Sequence, residues 1–183
     1  MPVIKEEGTA LKLKKKHPKT IFGILEKDHK TTFQKLNQFY EVLRKLLYEG
    51  KLTLGQNLAE TSEFVAYFKK ELDGHMRDEE KILFPFLQTH VPRLEPMICL
   101  LLSEHEDFRN SIKNLKTALS KFKKHEVVKP GTLDKICEQG TYLICLLRSH
   151  MSVESNSLYR VADKELRLSE KRKLTRQIEG YRE

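Results

Sequence analysis

The chain has 183 residues, 39% hydrophobic and 33% charged with both signs interspersed, enough for one substantial core and too balanced for wholesale disorder. Its net charge of +8 is too moderate to argue for nucleic acid as a partner. No run approaches the ~20 apolar residues of a membrane span, and the start, "MPVIKEEGTALKLKKKHPKT", lacks the apolar centre and small-residue cleavage site of a secretory leader, so a cytoplasmic location with no membrane partner is expected.

Residues 1–19 read as a basic N-terminal arm. A first helix is predicted from Thr20 to about Tyr48, where the glycines of "EGKLTLG" break it; its apolar stripe is Ile21, Leu25, His29, Phe33, Leu36, Tyr40, Leu43 and Leu47. A second runs from about Gln56 to Thr89 with Val65, Phe68, Leu72, His75, Glu79, Leu83 or Ile82, and Phe86 on one face. Pro85 falls inside it and is expected to kink the last turn or end the regular part early, because proline has no N–H to donate. A third, about Leu94 to Lys123, carries Ile98, Leu101, His105, Phe108, Ile112, Leu115, Leu119 and Phe122. After "HEVVKPGT", with Thr132 as candidate N-cap, a fourth runs from about Leu133 to Asp163 with Ile136, Gly140, Leu143, Leu147, His150, Glu154, Leu158 and Val161. Residues 164–183 are a charged tail with Leu174, Ile178 and Tyr181 on a short apolar edge, suited to a docked or protruding helix. Inward positions three and four residues apart in all four long helices, joined by short turns, give an all-α, up-down-up-down four-helix bundle over residues 20–163.

Cys99, Cys137 and Cys145 are odd in number and form no C-x-x-C pair, which argues against a disulfide framework or a cysteine metal site; all three are expected as buried reduced thiols.

Each stripe holds one histidine near its middle, and two of the four are followed four residues on by a glutamate: His75 by Glu79 and His150 by Glu154. A carboxylate on a buried stripe is costly unless something compensates it. At ~1.5 Å per residue, His29 and His75 each lie roughly 28 Å from the turn between their helices, His105 and His150 match as closely about theirs, and His75 and His105 differ by roughly one helical turn. The four histidines therefore fall near one level of the bundle, and the glutamates with them. Mixed imidazole and carboxylate donors suit iron, manganese or zinc. Two carboxylates among four imidazoles suggest two metals, each with two histidines, bridged by both glutamates. His17, His90 and His125 lie in the arm or in loops and read as surface residues.

The segments "DHKTTF", "HMRDEEKILFPFL", "LLSEHEDF" and "RSHMSVESNSLYRVAD" resemble the hemerythrin-like, or HHE cation-binding, domain family over about residues 20–163. The resemblance implies a four-helix bundle with two carboxylate-bridged non-haem irons, oxo- or hydroxo-bridged when oxidised. The metal ligands it implies are His29, His75, Glu79, His105, His150 and Glu154, with Glu79 and Glu154 as the bridges. Oxygen-carrying members have a further histidine four residues after the third-helix histidine; here that residue is Arg109. Those members also place a fourth-helix aspartate five residues after its histidine, where this chain has Glu154 at four. The lost nitrogen leaves coordination positions open on that side, so reversible oxygen storage does not follow. Arg109 is expected to leave the core or to pair with Asp28, Glu106 or another acid.

Three readings follow. The first is a di-iron protein that binds or senses oxygen, nitric oxide or peroxide in oxidative or nitrosative stress or iron handling. The second is a di-iron enzyme for peroxide breakdown or for iron donation to damaged iron–sulfur clusters, the latter weakened by the lack of any cysteine before Cys99. The third is a metal-free four-helix interaction module.

Overall fold

The computed structural model describes residues 20–50, 52–124 and 131–182; the basic arm, His17 and His125 lie outside the described residues. Among the described residues all regular structure is helical. Helix α1 spans Ile21–Tyr48 and α2 spans Leu54–Asp78. A π-helical turn, Glu79–Leu83, joins α2 to α3, Phe84–His90. A short 3₁₀ turn leads to α4, Glu95–Lys124. Helix α5, Thr132–Val153, continues through a second π turn, Glu154–Leu158, into α6, Tyr159–Glu165. Helix α7, Leu168–Arg182, ends the described chain.

Thr20 starts α1 by accepting the Gly23 N–H on its hydroxyl at 3.2 Å, which satisfies one of the free first-turn donors. Helix α5 begins differently from expectation. Thr132 lies inside it, and Gly131 holds the cap position at φ 81°, backbone that glycine adopts without a Cβ clash.

Helix α1 packs on α2 and α5, and α4 packs on the same two, so the four long helices close a ring around a shared interior. That interior is two apolar clusters. One contains Leu36, Phe39, Phe68, Met76, Phe108, Leu115, Leu143 and Met151. The other contains Ile21, Leu25, Leu83, Leu87, Ile98, Leu101 and Leu158. In every helix the boundary falls at the polar residues: His29 between Leu25 and Leu36, Glu79 between Met76 and Leu83, His105 between Leu101 and Phe108, Glu154 between Met151 and Leu158. The imidazoles and carboxylates thus form one buried layer with an apolar core on each side.

Most stripe positions are buried, with two corrections in α1. Tyr40 and Leu47 are exposed, and Phe39 and Leu46 point inward in their place. Repeated steps of four outrun the 3.6-residue turn, so a stripe extrapolated that way slides off the core face by one residue. A similar offset moves two cysteines outward. Cys137 is buried, but Cys99 and Cys145 are exposed, each one residue past an inward Ile98 or Ile144.

Regular α-helix ends at Asp78, a π turn follows, and Pro85 is the second residue of α3, which stays helical to His90. Proline is not required for such a turn, because the matching turn after α5 neither contains one nor is followed by one. What the two turns share is a glutamate as first residue and a buried leucine, Leu83 or Leu158, as last.

Helix α7 docks. Leu174 and Ile178 are fully buried, each side chain contributing roughly 1.5–3 kcal/mol by the usual transfer scale. Thr175 accepts the Ile21 N–H at 3.2 Å, so the tail helix satisfies a donor at the start of α1. Tyr181, expected on the same edge, is half exposed.

Candidate metal centre

A histidine and a glutamate four residues apart share a helix face. His75 and Glu79, and His150 and Glu154, therefore enter the buried layer together from α2 and α5, and His29 and His105 meet them from α1 and α4. In both π turns the hydrogen bond closes over five residues, from the Phe84 N–H to the Glu79 carbonyl and from the Tyr159 N–H to the Glu154 carbonyl. Such single-turn bulges gather at functional positions because they reset which residues face the interior.

All six predicted residues come together. The Nε2 atoms of His29 and His75 lie 3.0 Å apart, and those of His105 and His150 3.1 Å apart. Each glutamate faces both pairs. Glu79 Oε1 is 3.4 Å from His75 Nε2, and its Oε2 is 3.6 Å from His105 Nε2. Glu154 Oε2 is 3.1 Å from His29 Nε2, and its Oε1 is 3.2 Å from His150 Nε2. Two groups of four donor atoms result, His29–His75–Glu79–Glu154 and Glu79–His105–His150–Glu154, each with atoms within 4.8 Å of one another and a geometry able to hold a cation.

Both glutamates are completely buried. Glu79 Oε2 and both oxygens of Glu154 have no hydrogen-bond partner. Buried anionic oxygens without partners are strongly unfavourable, and a cation between the facing oxygens and imidazole lone pairs compensates them. Nitrogen and oxygen donors of this mixture fit iron, manganese or zinc, so the residues present fit a metal.

Around this set lies a ring of outer partners that the stripe analysis did not assign. His105 Nδ1 donates to Glu80 at 2.8 Å, His150 Nδ1 to Glu104 at 2.6 Å, and His29 Nδ1 bonds Ser155 at 3.0 Å. Bonds at Nδ1 fix the ring so that the Nε2 lone pair points inward. The fourth histidine is held less firmly: His75 Nδ1 lies 3.7 Å from Asp28 and makes no hydrogen bond. The buried Tyr159 donates its hydroxyl to Glu79 Oε1 at 2.7 Å. A signal for these residues other than Tyr159 exists in the sequence, since each adjoins a site residue: Asp28 and His29, Glu79 and Glu80, Glu104 and His105, Glu154 and Ser155.

Arg109 does not enter the layer. It pairs with Glu80 at 2.7 Å and with Glu106 at 2.8 Å, while Asp28, the other acid named for it, turns to His75 and Arg182. Through Glu80 it steadies His105 from outside. An open coordination position on this side is not open access, because His105 is 0% exposed and His75, across the layer, is 11% exposed. His90 is exposed and stacks on Phe86, away from the cluster.

The electrostatics follow from burial and close charges. Burial lowers the His75 pKa, but Glu79, Asp28 and Glu154 outweigh it and carry it up to about 9. His150 is likewise lowered by burial and carried up to about 9 by Glu154, Glu79 and Glu104. Burial and the neighbouring His150 push His105 down to about 4, and burial lowers His29 too. Each pair therefore has one protonated and one neutral ring when no cation is bound. Burial and the nearby Glu154 push Glu79 above the ordinary carboxylate range.

Among the described residues no helix is long and apolar enough to cross a membrane. The family model for the hemerythrin HHE cation-binding domain matches residues 20–169. Comparison with curated proteins gives no match.

Proposed function

The chain belongs to the hemerythrin HHE cation-binding family, and we propose that it holds two non-haem irons in the buried layer of an up-down-up-down four-helix bundle and binds or senses a small molecule there. In this reading His29 and His75 hold one iron, His105 and His150 hold the other, and Glu79 and Glu154 bridge them. The observation that carries it is that both carboxylates turn one oxygen toward each imidazole pair, with three of the four oxygens otherwise unpaired. A metal-free module would set only protonated imidazoles against those oxygens and leave them without hydrogen bonds.

When bound, a pair of irons supplies redox chemistry and coordination positions for oxygen, nitric oxide or peroxide. The protein's own residues set the conditions. Glu80, Glu104 and Ser155 hold three imidazoles in the ligating orientation. Tyr159 neutralises part of the Glu79 charge by donating a hydrogen bond. The apolar cores on either side exclude bulk water and restrict access to small molecules. A role in oxidative or nitrosative stress or iron handling, in the cytoplasm, fits this chemistry.

The test is anaerobic reconstitution with ferrous iron followed by metal analysis. Close to two irons per folded chain is the expected result, with absorption changes on adding oxygen, nitric oxide or peroxide. A folded protein with no affinity for iron overturns the reading.

A further inference from the structure

Helix α7 lies mostly beyond the segment that matches the family, which ends at residue 169, yet it reaches the metal layer. Near its end, Arg182 bridges two carboxylates on different helices. Its Nε donates to Asp78 at 2.5 Å, and a terminal nitrogen donates to Asp28 at 2.8 Å. Asp28 is the residue facing His75 Nδ1. Asp78 is 3% exposed and immediately precedes Glu79.

Beside these residues is a cavity of about 430 Å³ lined by Asp28, Asp78, Gly74, His75 and Arg182, among others. Six waters occupy roughly 180 Å³ at about 30 Å³ each, so a fully hydrated cation fits. His75 lines the cavity and is the most exposed of the six site residues at 11%; the others are 0–4% exposed. Lys70 and Arg77 line it too, and Arg182 neutralises Asp28 and Asp78, the acids nearest the layer. A cation passing through must take the place of that guanidinium.

We infer that metal ions reach and leave the buried layer through this cavity, past His75, and that Arg182 is the latch that holds the passage closed. The inference rests on the two-iron reading above. The guanidinium fork spans both carboxylates, blocks the inner end and removes the negative charge that would draw a cation inward. When Arg182 swings out, Asp28 and Asp78 offer oxygen donors beside His75. The side chain of Arg182 is 35% exposed, and α7 is held independently by Leu174 and Ile178, so the latch can open without undocking the helix.

Two variants push the rate in opposite directions. Arg182→Ala removes the latch. Gly74→Phe plugs the cavity: a Cβ at Gly74 meets nothing within 4 Å, and replacing a helical glycine does not weaken the helix. The 183-residue wild type and both variants are loaded anaerobically with ferrous iron, their iron content is measured, and extraction by 2,2′-bipyridine is then followed in time. Equal iron content is expected in all three. Release from Arg182→Ala should be at least roughly tenfold faster, because the two charge-assisted contacts to Asp78 and Asp28 no longer have to break. Release from Gly74→Phe should be slower than wild type. Fully loaded proteins with equal release rates overturn this inference alone, as does Arg182→Ala that has lost one of its irons. A wild type that takes up no iron overturns both this inference and the reading beneath it.

Discussion

On the His105–His150 side of the buried layer, Glu80 and Glu104 grip both outer ring nitrogens at 2.8 and 2.6 Å, and Arg109 backs Glu80 from the surface. On the His29–His75 side, Ser155 holds His29, but Asp28 stands 3.7 Å from His75 and is drawn toward Arg182. The inner geometry is nearly the same: facing nitrogens at 3.0 and 3.1 Å, one histidine–glutamate pair each, one π turn each. The halves differ in what stands behind the imidazoles. One half is rigid and sealed; the other is looser and borders a cavity. Identical donor sets thus receive different stiffness and access from residues that touch no metal.

The largest effect should come from the residues the halves share. Glu79→Ala or Glu154→Ala removes a carboxylate that faces both pairs, so each should abolish the two-metal centre, read as iron per chain after anaerobic loading. His90→Ala, which alters an exposed ring, should keep full content. Loss of one metal with normal retention of the other would show that the halves bind independently.

Metal removal comes next. With free metal a thousandfold above its dissociation constant, binding to the folded state alone adds roughly 4 kcal/mol. For a domain of this size that corresponds to a melting temperature higher by about 8–16 °C in the loaded protein. Equal melting curves for apo and loaded protein would remove the cation from the account of the buried carboxylates.

The pH dependence tests each half through its protonated ring. His75 and His150 have folded pKa values of about 9, above the ordinary 6.5. A raised histidine contributes stability that is full below pH 6.5 or so and is lost as pH rises through about 9. The apo protein should therefore melt progressively lower between those values. The loaded protein, whose rings must be neutral to ligate, should instead lose metal as pH falls, because protons compete for the same nitrogens. An apo melting temperature flat from pH 6.5 to 9 would contradict the charge assignment.

The smallest effects separate the halves most sharply. Glu80→Gln and Glu104→Gln loosen rings that are tightly held and should weaken metal affinity by about 10–100-fold. Asp28→Asn, at 3.7 Å from its ring, should cost less. Competition titrations against a chelator of known affinity rank the three. An Asp28 effect larger than that of Glu104 would reverse the assignment of the rigid half.

What the sequence determined by itself is whatever depends on helical periodicity. Four amphipathic helices follow from spacings of three and four. Residues four apart must share a face, so His75 with Glu79 and His150 with Glu154 were legible, and rise per residue was enough to place His29 and His105 at their level. The tertiary structure decided what depends on direction and on the far chain. Stripe position drifted in α1, where Tyr40 gave way to Phe39, because a small error in period accumulates over several turns. The π turns carry little residue signature, a glutamate at the start and a leucine at the end, since they answer the demand of a shared interior. Asp28 with Arg182, 154 residues apart, and Glu79 with Tyr159, 80 apart, are joined only when the helices pack. Periodicity is local and survives in one dimension; the choice of partner for a charge is made by whichever group the fold brings within reach.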